Sequence, residues 1–88
     1  MPTVIISHKV ENYKKWKEIY DRDIERRSQA GLREISAGQK ADEPNMVYMV
    51  FEASDSNKVK EMMQDQSLKD LMDEAGVISK PELIVIEE

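Results

Sequence analysis

"MVYMVFEA", Met46 to Ala53, is apolar on both of its alternating sides, with Val47, Met49 and Phe51 on one and Met46, Tyr48 and Val50 on the other. A strand that wants apolar cover on both faces belongs in the middle of a sheet. Just before it, "KADEPN" (residues 40–45) is turn chemistry, and its Pro44 cannot donate to a strand ladder. Upstream of that turn Leu32 to Gln39 ("LREISAGQ") alternates, so the two stretches are expected to form a hairpin. Thr3 to Val10 ("TVIISHKV") is short and rich in β-branched residues, which favours a further strand. Its alternation puts Val4, Ile6, His8 and Val10 on one face and Thr3, Ile5, Ser7 and Lys9 on the other. Pro81 to Glu88 ("PELIVIEE") reads as the closing strand.

Helices fill the gaps. Asn12 is a good N-cap, and Tyr13, Trp16, Tyr20 and Ile24 then recur at intervals of three and four, an apolar stripe down one side. Gly31 supplies the left-handed residue that ends this helix near Ala30. After "SDSN" (residues 54–57) offers further caps, Val59, Met62 and Met63 begin a second stripe. The spacing breaks at "DQSLKD" (residues 65–70), where Ser67 and Asp70 have capping-box spacing, predicting a bend and a restarted helix. Leu68, Leu71, Met72 and Ala75 continue the buried side, and Gly76 followed by Val77 fits a C-terminal cap.

The order strand, helix, strand, strand, helix, strand is the ferredoxin-like βαββαβ plan of the α+β class, a four-stranded antiparallel sheet with both helices on one face. Residues 1–88 make a single domain. That plan leaves one face of the sheet bare, carrying either Val47, Met49 and Phe51 or Met46, Tyr48 and Val50. An uncovered apolar patch of this kind marks an interface. A homodimer is therefore expected, two copies packing these faces together about a two-fold axis into an α+β barrel. Association also enlarges a core that is small alone, since a chain of this length buries only roughly 60–65% of its unfolded surface.

Composition narrows the partners. With 40% hydrophobic and 35% charged residues the chain is a globular protein. A net charge of −5 and a pI near 4.9 repel phosphate backbones and anionic lipid, so neither nucleic acid nor a membrane is expected as a partner. Arg22, Arg26 and Arg27 are a local exception that reads either as an anion site or, since they alternate with Asp21, Asp23 and Glu25, as a solvated helix face, and the alternation favours the second. The absence of cysteine removes disulfides, thiolate nucleophiles and sulfur-ligated metals. "MPTVIISHK" has too short an apolar run and no basic leader for a signal peptide, so a cytoplasmic location is the default.

The run "HKVENYKKWKEIYD" (residues 8–21), the hairpin "DEPNMVYMVFE" (residues 42–52) and the closing "LKDLMDEAGVISKPEL" (residues 68–83) together resemble small bacterial proteins of the dimeric α+β barrel superfamily, which contains the antibiotic-biosynthesis monooxygenases. The resemblance implies a sheet-to-sheet dimer with a pocket in each subunit between sheet and helices. Oxygenases of that group commonly use tryptophan, asparagine, tyrosine or histidine there. No complete catalytic set of the group maps onto this chain, although His8 and Trp16 supply suitable residue types.

His8, the one histidine, is the candidate catalytic acid or base, since imidazole moves protons near neutral pH. Trp16, Tyr13 and Tyr20 are candidates for the wall of a flat slot that takes a small apolar or aromatic ligand, and Tyr48 is a further candidate whose hydroxyl needs a partner or a cavity, or else bonds across the dimer interface. Of the six methionines, Met46, Met49, Met62, Met63 and Met72 lie inside the chain and give either core filling or a pliable pocket. One histidine without cysteine gives no metal-ligand set, and there is no Gly-rich phosphate loop or serine elbow, so no cofactor is expected. Two functions compete: a cofactor-free enzyme (monooxygenase, isomerase or cyclase type), and a ligand-binding or interaction module without turnover whose pocket is filled.

Overall fold

The computed structural model describes residues 1–87, so Glu88, placed above in the closing strand, lies outside the described residues. The elements are β1 (Thr3–Lys9), α1 (Tyr13–Arg22), α2 (Ile24–Gln29), β2 (Leu32–Lys40), β3 (Glu43–Ala53), α3 (Ser56–Gln64), α4 (Gln66–Glu74) and β4 (Glu82–Ile86). The four strands form one antiparallel sheet in the order β2-β3-β1-β4. This is the ferredoxin-like α+β plan, and "MVYMVFEA" occupies a central strand for the reason its two apolar sides required.

Alternation decides which side of each strand the helices cover. Val4, Ile6, His8, Val47, Met49, Phe51 and Ala53 are all buried and pack with Trp16, Ile19, Val59 and Ala75 of the helical layer. The other face exposes Tyr48, Ile84 and Ile86. Across it Ile84 stands beside Ile5, and Ile5 beside Val50, so an apolar row crosses three strands. The bare face therefore carries the Met46, Tyr48 and Val50 set.

The first predicted helix is two helices, broken at Asp23, whose φ of −94° and ψ of 22° leave the helical region. The break frees the Tyr20 carbonyl, which then accepts from the Asp23 N–H (3.1 Å) and from Arg27 Nη1 (2.8 Å). It also resets the stripe: Ile24, placed on the apolar side by spacing, is 65% exposed, and Ile19 is buried in its stead. Asn12 caps α1 as expected, accepting from the Lys15 N–H. The second break comes at Asp65, and Asp65 rather than Ser67 is the N-cap of α4, accepting from both the N–H and the hydroxyl of Ser67.

The turn between β2 and β3 is shorter than "KADEPN" suggested, because Lys40 already pairs with Glu43. Pro44 falls where the register slips between that pair and Gln39↔Val47, a place that asks for no ladder donor. At the helix ends, Gly31 (φ 73°) and Gly76 (φ 81°) take the left-handed conformation. Val77 N–H reaches the Met72 carbonyl and Gly76 N–H the Asp73 carbonyl, the paired bonds of a Schellman cap.

Candidate functional site

β1 carries His8 onto the helix-covered face, paired with Val47 of β3, one position beyond the last residue that β4 pairs. The N-cap at Asn12 starts α1 directly above it, and the helical period lays Trp16 across the imidazole. The two rings meet edge to face, 5.8 Å apart at 75°. Trp16 then stacks on Tyr20 at 4.8 Å and 22°, and Tyr13 lies tilted against it at 5.8 Å and 33°. Beyond Tyr20 the Arg27 guanidinium lies over the phenol ring, 3.7 Å from its centre. The Tyr20 hydroxyl donates to Glu34 Oε1 at 2.6 Å, a charge-assisted bond that fixes the ring. Burial first, and that bond second, push the Tyr20 hydroxyl far above the usual phenol range.

His8 is 4% exposed, and its Nδ1 is buried without a hydrogen-bond partner among the described residues. Desolvation disfavours the imidazolium and lowers the His8 pKa from 6.5 to about 4, a fall that the residue's own backbone only partly opposes. The side chain is thus neutral at pH 7. A buried polar atom without a partner is uncommon and calls for an explanation.

A cavity of about 70 Å³ lies between the sheet and the helices. Ile6, His8, Met49 and Phe51 form its floor, Trp16, Ile19 and Tyr20 one wall, and Met62, Met63, Leu68, Leu71 and Met72 the other. Among the described residues, the charged ones in its lining are Asp23, Arg26 and Arg27. Arg26 also ties the two helix breaks together, its Nε bonding Asp23 at 2.9 Å and its Nη1 bonding Ser67 at 2.7 Å, with Asp65 at 3.6 Å. Reading this arginine group as a solvated face holds for exposed Arg22. It fails for Arg26 and Arg27, which are half-buried because the kink at Asp23 turns them inward.

Of the residues singled out from the sequence, His8, Trp16 and Tyr20 line the cavity together. Tyr13 supports Trp16 from outside it. Tyr48 corrects the expectation of a ligand contact: strand alternation puts it on the bare face, 40% exposed, away from the cavity. Ile19, one helical step from Trp16, lies outside the predicted stripe, and Arg26 and Arg27 belong to the group for which an anion site was the lesser reading. The i, i+3 spacing of Asp23 and Arg26 was the available signal for the latter.

No family model matches the chain, and no curated protein resembles it significantly in sequence. Solved structures do resemble it. An antibiotic-biosynthesis-monooxygenase candidate from Bordetella bronchiseptica superposes with a TM-score of 0.76 at 10% identity, over 99% of this chain and 95% of that one. SnoaB, a cofactor-independent oxygenase from Streptomyces nogalater, gives 0.69 at 12% identity, over 99% and 93%. A NIPSNAP domain protein from Burkholderia xenovorans gives 0.69 at 11% identity, over 100% and 94%. The chain has the ferredoxin-like α+β fold of the antibiotic-biosynthesis-monooxygenase-like structures. At such identities the likeness is one of fold.

Proposed function

We propose that this protein binds a small apolar or aromatic molecule in the helix-side cavity and acts on it without a cofactor, with His8 as the group that handles a proton. The reading is carried by His8, which helps to line that largely apolar cavity and whose Nδ1 has no hydrogen-bond partner among the described residues. A guest with a weakly acidic O–H or C–H would give that nitrogen the hydrogen bond it lacks. Neutral imidazole accepts a proton there, and the anion formed beside it favours the imidazolium, offsetting the desolvation that otherwise disfavours it. The cofactor-independent oxygenase among the structures of this fold is in keeping with such chemistry.

The cavity's size favours the alternative, a filled module without turnover. A void of roughly 150 Å³ holds benzene, and this one measures about 70 Å³. A ring enters only when side chains move, and the methionines on one wall have the flexibility for it. The two readings part on one variant. Thermal shift across a panel of phenols and enolisable aromatics, together with oxygen uptake and product analysis, is expected to reveal a ligand and a turnover that His8→Gln abolishes while melting stays within about 1 kcal/mol of the parent. A variant that unfolds, or a panel without any shift, would leave His8 a core residue.

The same reading makes the protein a homodimer joined through the bare sheet face, because Ile5, Tyr48, Val50, Ile84 and Ile86 make one apolar surface that a second copy can match. Val50→Lys puts a charge at the centre of that row. It is expected to halve the mass seen by light scattering without unfolding the chain; an unchanged mass, or a monomeric parent, would contradict this.

A further inference from the structure

We propose that the guest of the cavity is an organic anion, a carboxylate, whose charged group pairs with Arg27 while its apolar body reaches between Trp16 and the methionines toward His8. The inference deepens the binding function proposed above and rests on it. It comes from the charges that line the cavity. Arg26 is already neutralised, bonded to Asp23 and facing Asp65. Asp23 is taken by the same contact. Arg27 has no carboxylate within ion-pair distance among the described residues, and a carbonyl, that of Tyr20, takes its Nη1. The nearby acids are engaged elsewhere, Glu34 by the Tyr20 hydroxyl and Asp21 by Lys17.

A half-buried guanidinium without a carboxylate partner is held at a cost, and Arg27 is one of the few charged residues in the lining of a largely apolar cavity. Its contact with the Tyr20 ring holds the guanidinium in place without using its N–H donors. The arrangement suits a planar, bidentate acceptor attached to a ring. The polar groups then sit at separate places along the guest, the cation of Arg27 at its anionic end and the bare nitrogen of His8 farther in.

The test compares benzoate with benzamide, which share shape and differ in charge. Binding is followed on the single tryptophan, Trp16, through its indole N–H signal. Wild-type protein is expected to bind benzoate on the order of tenfold more tightly than benzamide, the size expected of a hydrogen bond to a charged group. Arg27→Gln and Arg27→Met are expected to bring the two ligands to equal affinity; the second keeps the apolar stem over Tyr20 if the first does not fold. Equal affinities in the wild type would overturn the anionic class and leave the cavity reading standing. A benzoate preference that survives in both variants would overturn the role of Arg27. Failure of both ligands to move the Trp16 signal would overturn this inference and the proposed binding function together.

Discussion

Trp16→Ala is expected to lower stability by roughly 3–5 kcal/mol, the range for removing a buried large aromatic ring. The side chain is 3% exposed, and it is the hub on which His8, Tyr13 and Tyr20 all pack. Its loss opens a void that merges with the existing cavity, and the stack that holds Tyr20 under Arg27 loses its base. For a domain of this size the loss corresponds to a drop of roughly 15–30 °C in Tm. Small domains hold only about 5–15 kcal/mol in total, so the variant will sit near the edge of folding. Thermal and urea melts by circular dichroism at matched protein concentration read the change. Trp16→Phe, which keeps an aromatic ring in the stack, should recover much of it. A loss below about 1 kcal/mol for Trp16→Ala would mean that the ring is not packed as observed.

The second large effect is a pH dependence that belongs to His8. Its pKa is about 4 in the folded protein and 6.5 in an unfolded chain, so between those values the unfolded state binds the proton that the folded state refuses. Stability therefore rises with pH across this window. The contribution is whole above about pH 6.5 and is lost as pH falls toward 4. The difference in pKa is worth about 3 kcal/mol. Carboxylates titrate over part of the same range in parent and variant alike. The quantity to measure is thus the stability difference between wild type and His8→Gln, by urea unfolding at pH 7 and pH 4. It should shift by about 3 kcal/mol against the wild type on acidification. Parallel pH profiles would show that water and protons reach the imidazole freely.

Both effects start from features legible in the sequence. The two-sided apolarity of residues 46–53 demanded a central strand, and period-two alternation in β1 put Val4, Ile6 and His8 on one face. The helical period brought Trp16 and Tyr20 over it. What was not legible depends on contacts between distant segments. The kink at Asp23 has no proline or glycine to announce it; it is held by Arg26 and Arg27, one reaching α4 and the other a freed carbonyl. Since the kink was invisible, Ile24 was assigned inward and the two arginines outward. Tyr48 shows the complementary limit. Its strand was clear, but which side of that strand the helices cover follows only from how β1 and β3 register. The cavity is set by how methionine and leucine side chains from α3 and α4 fill the space above β1, and spacing alone says nothing of such a remainder.

The most direct measurement is a crystal structure of the protein soaked with phenol, whose ring tests the apolar walls and whose hydroxyl tests the bare nitrogen. The ring should lie between Trp16 and displaced methionine side chains of α3 and α4, with its oxygen at hydrogen-bond distance, roughly 2.7–3.2 Å, from His8 Nδ1. A cavity closed around Trp16 with phenol excluded from it, or His8 Nδ1 satisfied by a protein group instead, would contradict the proposed site.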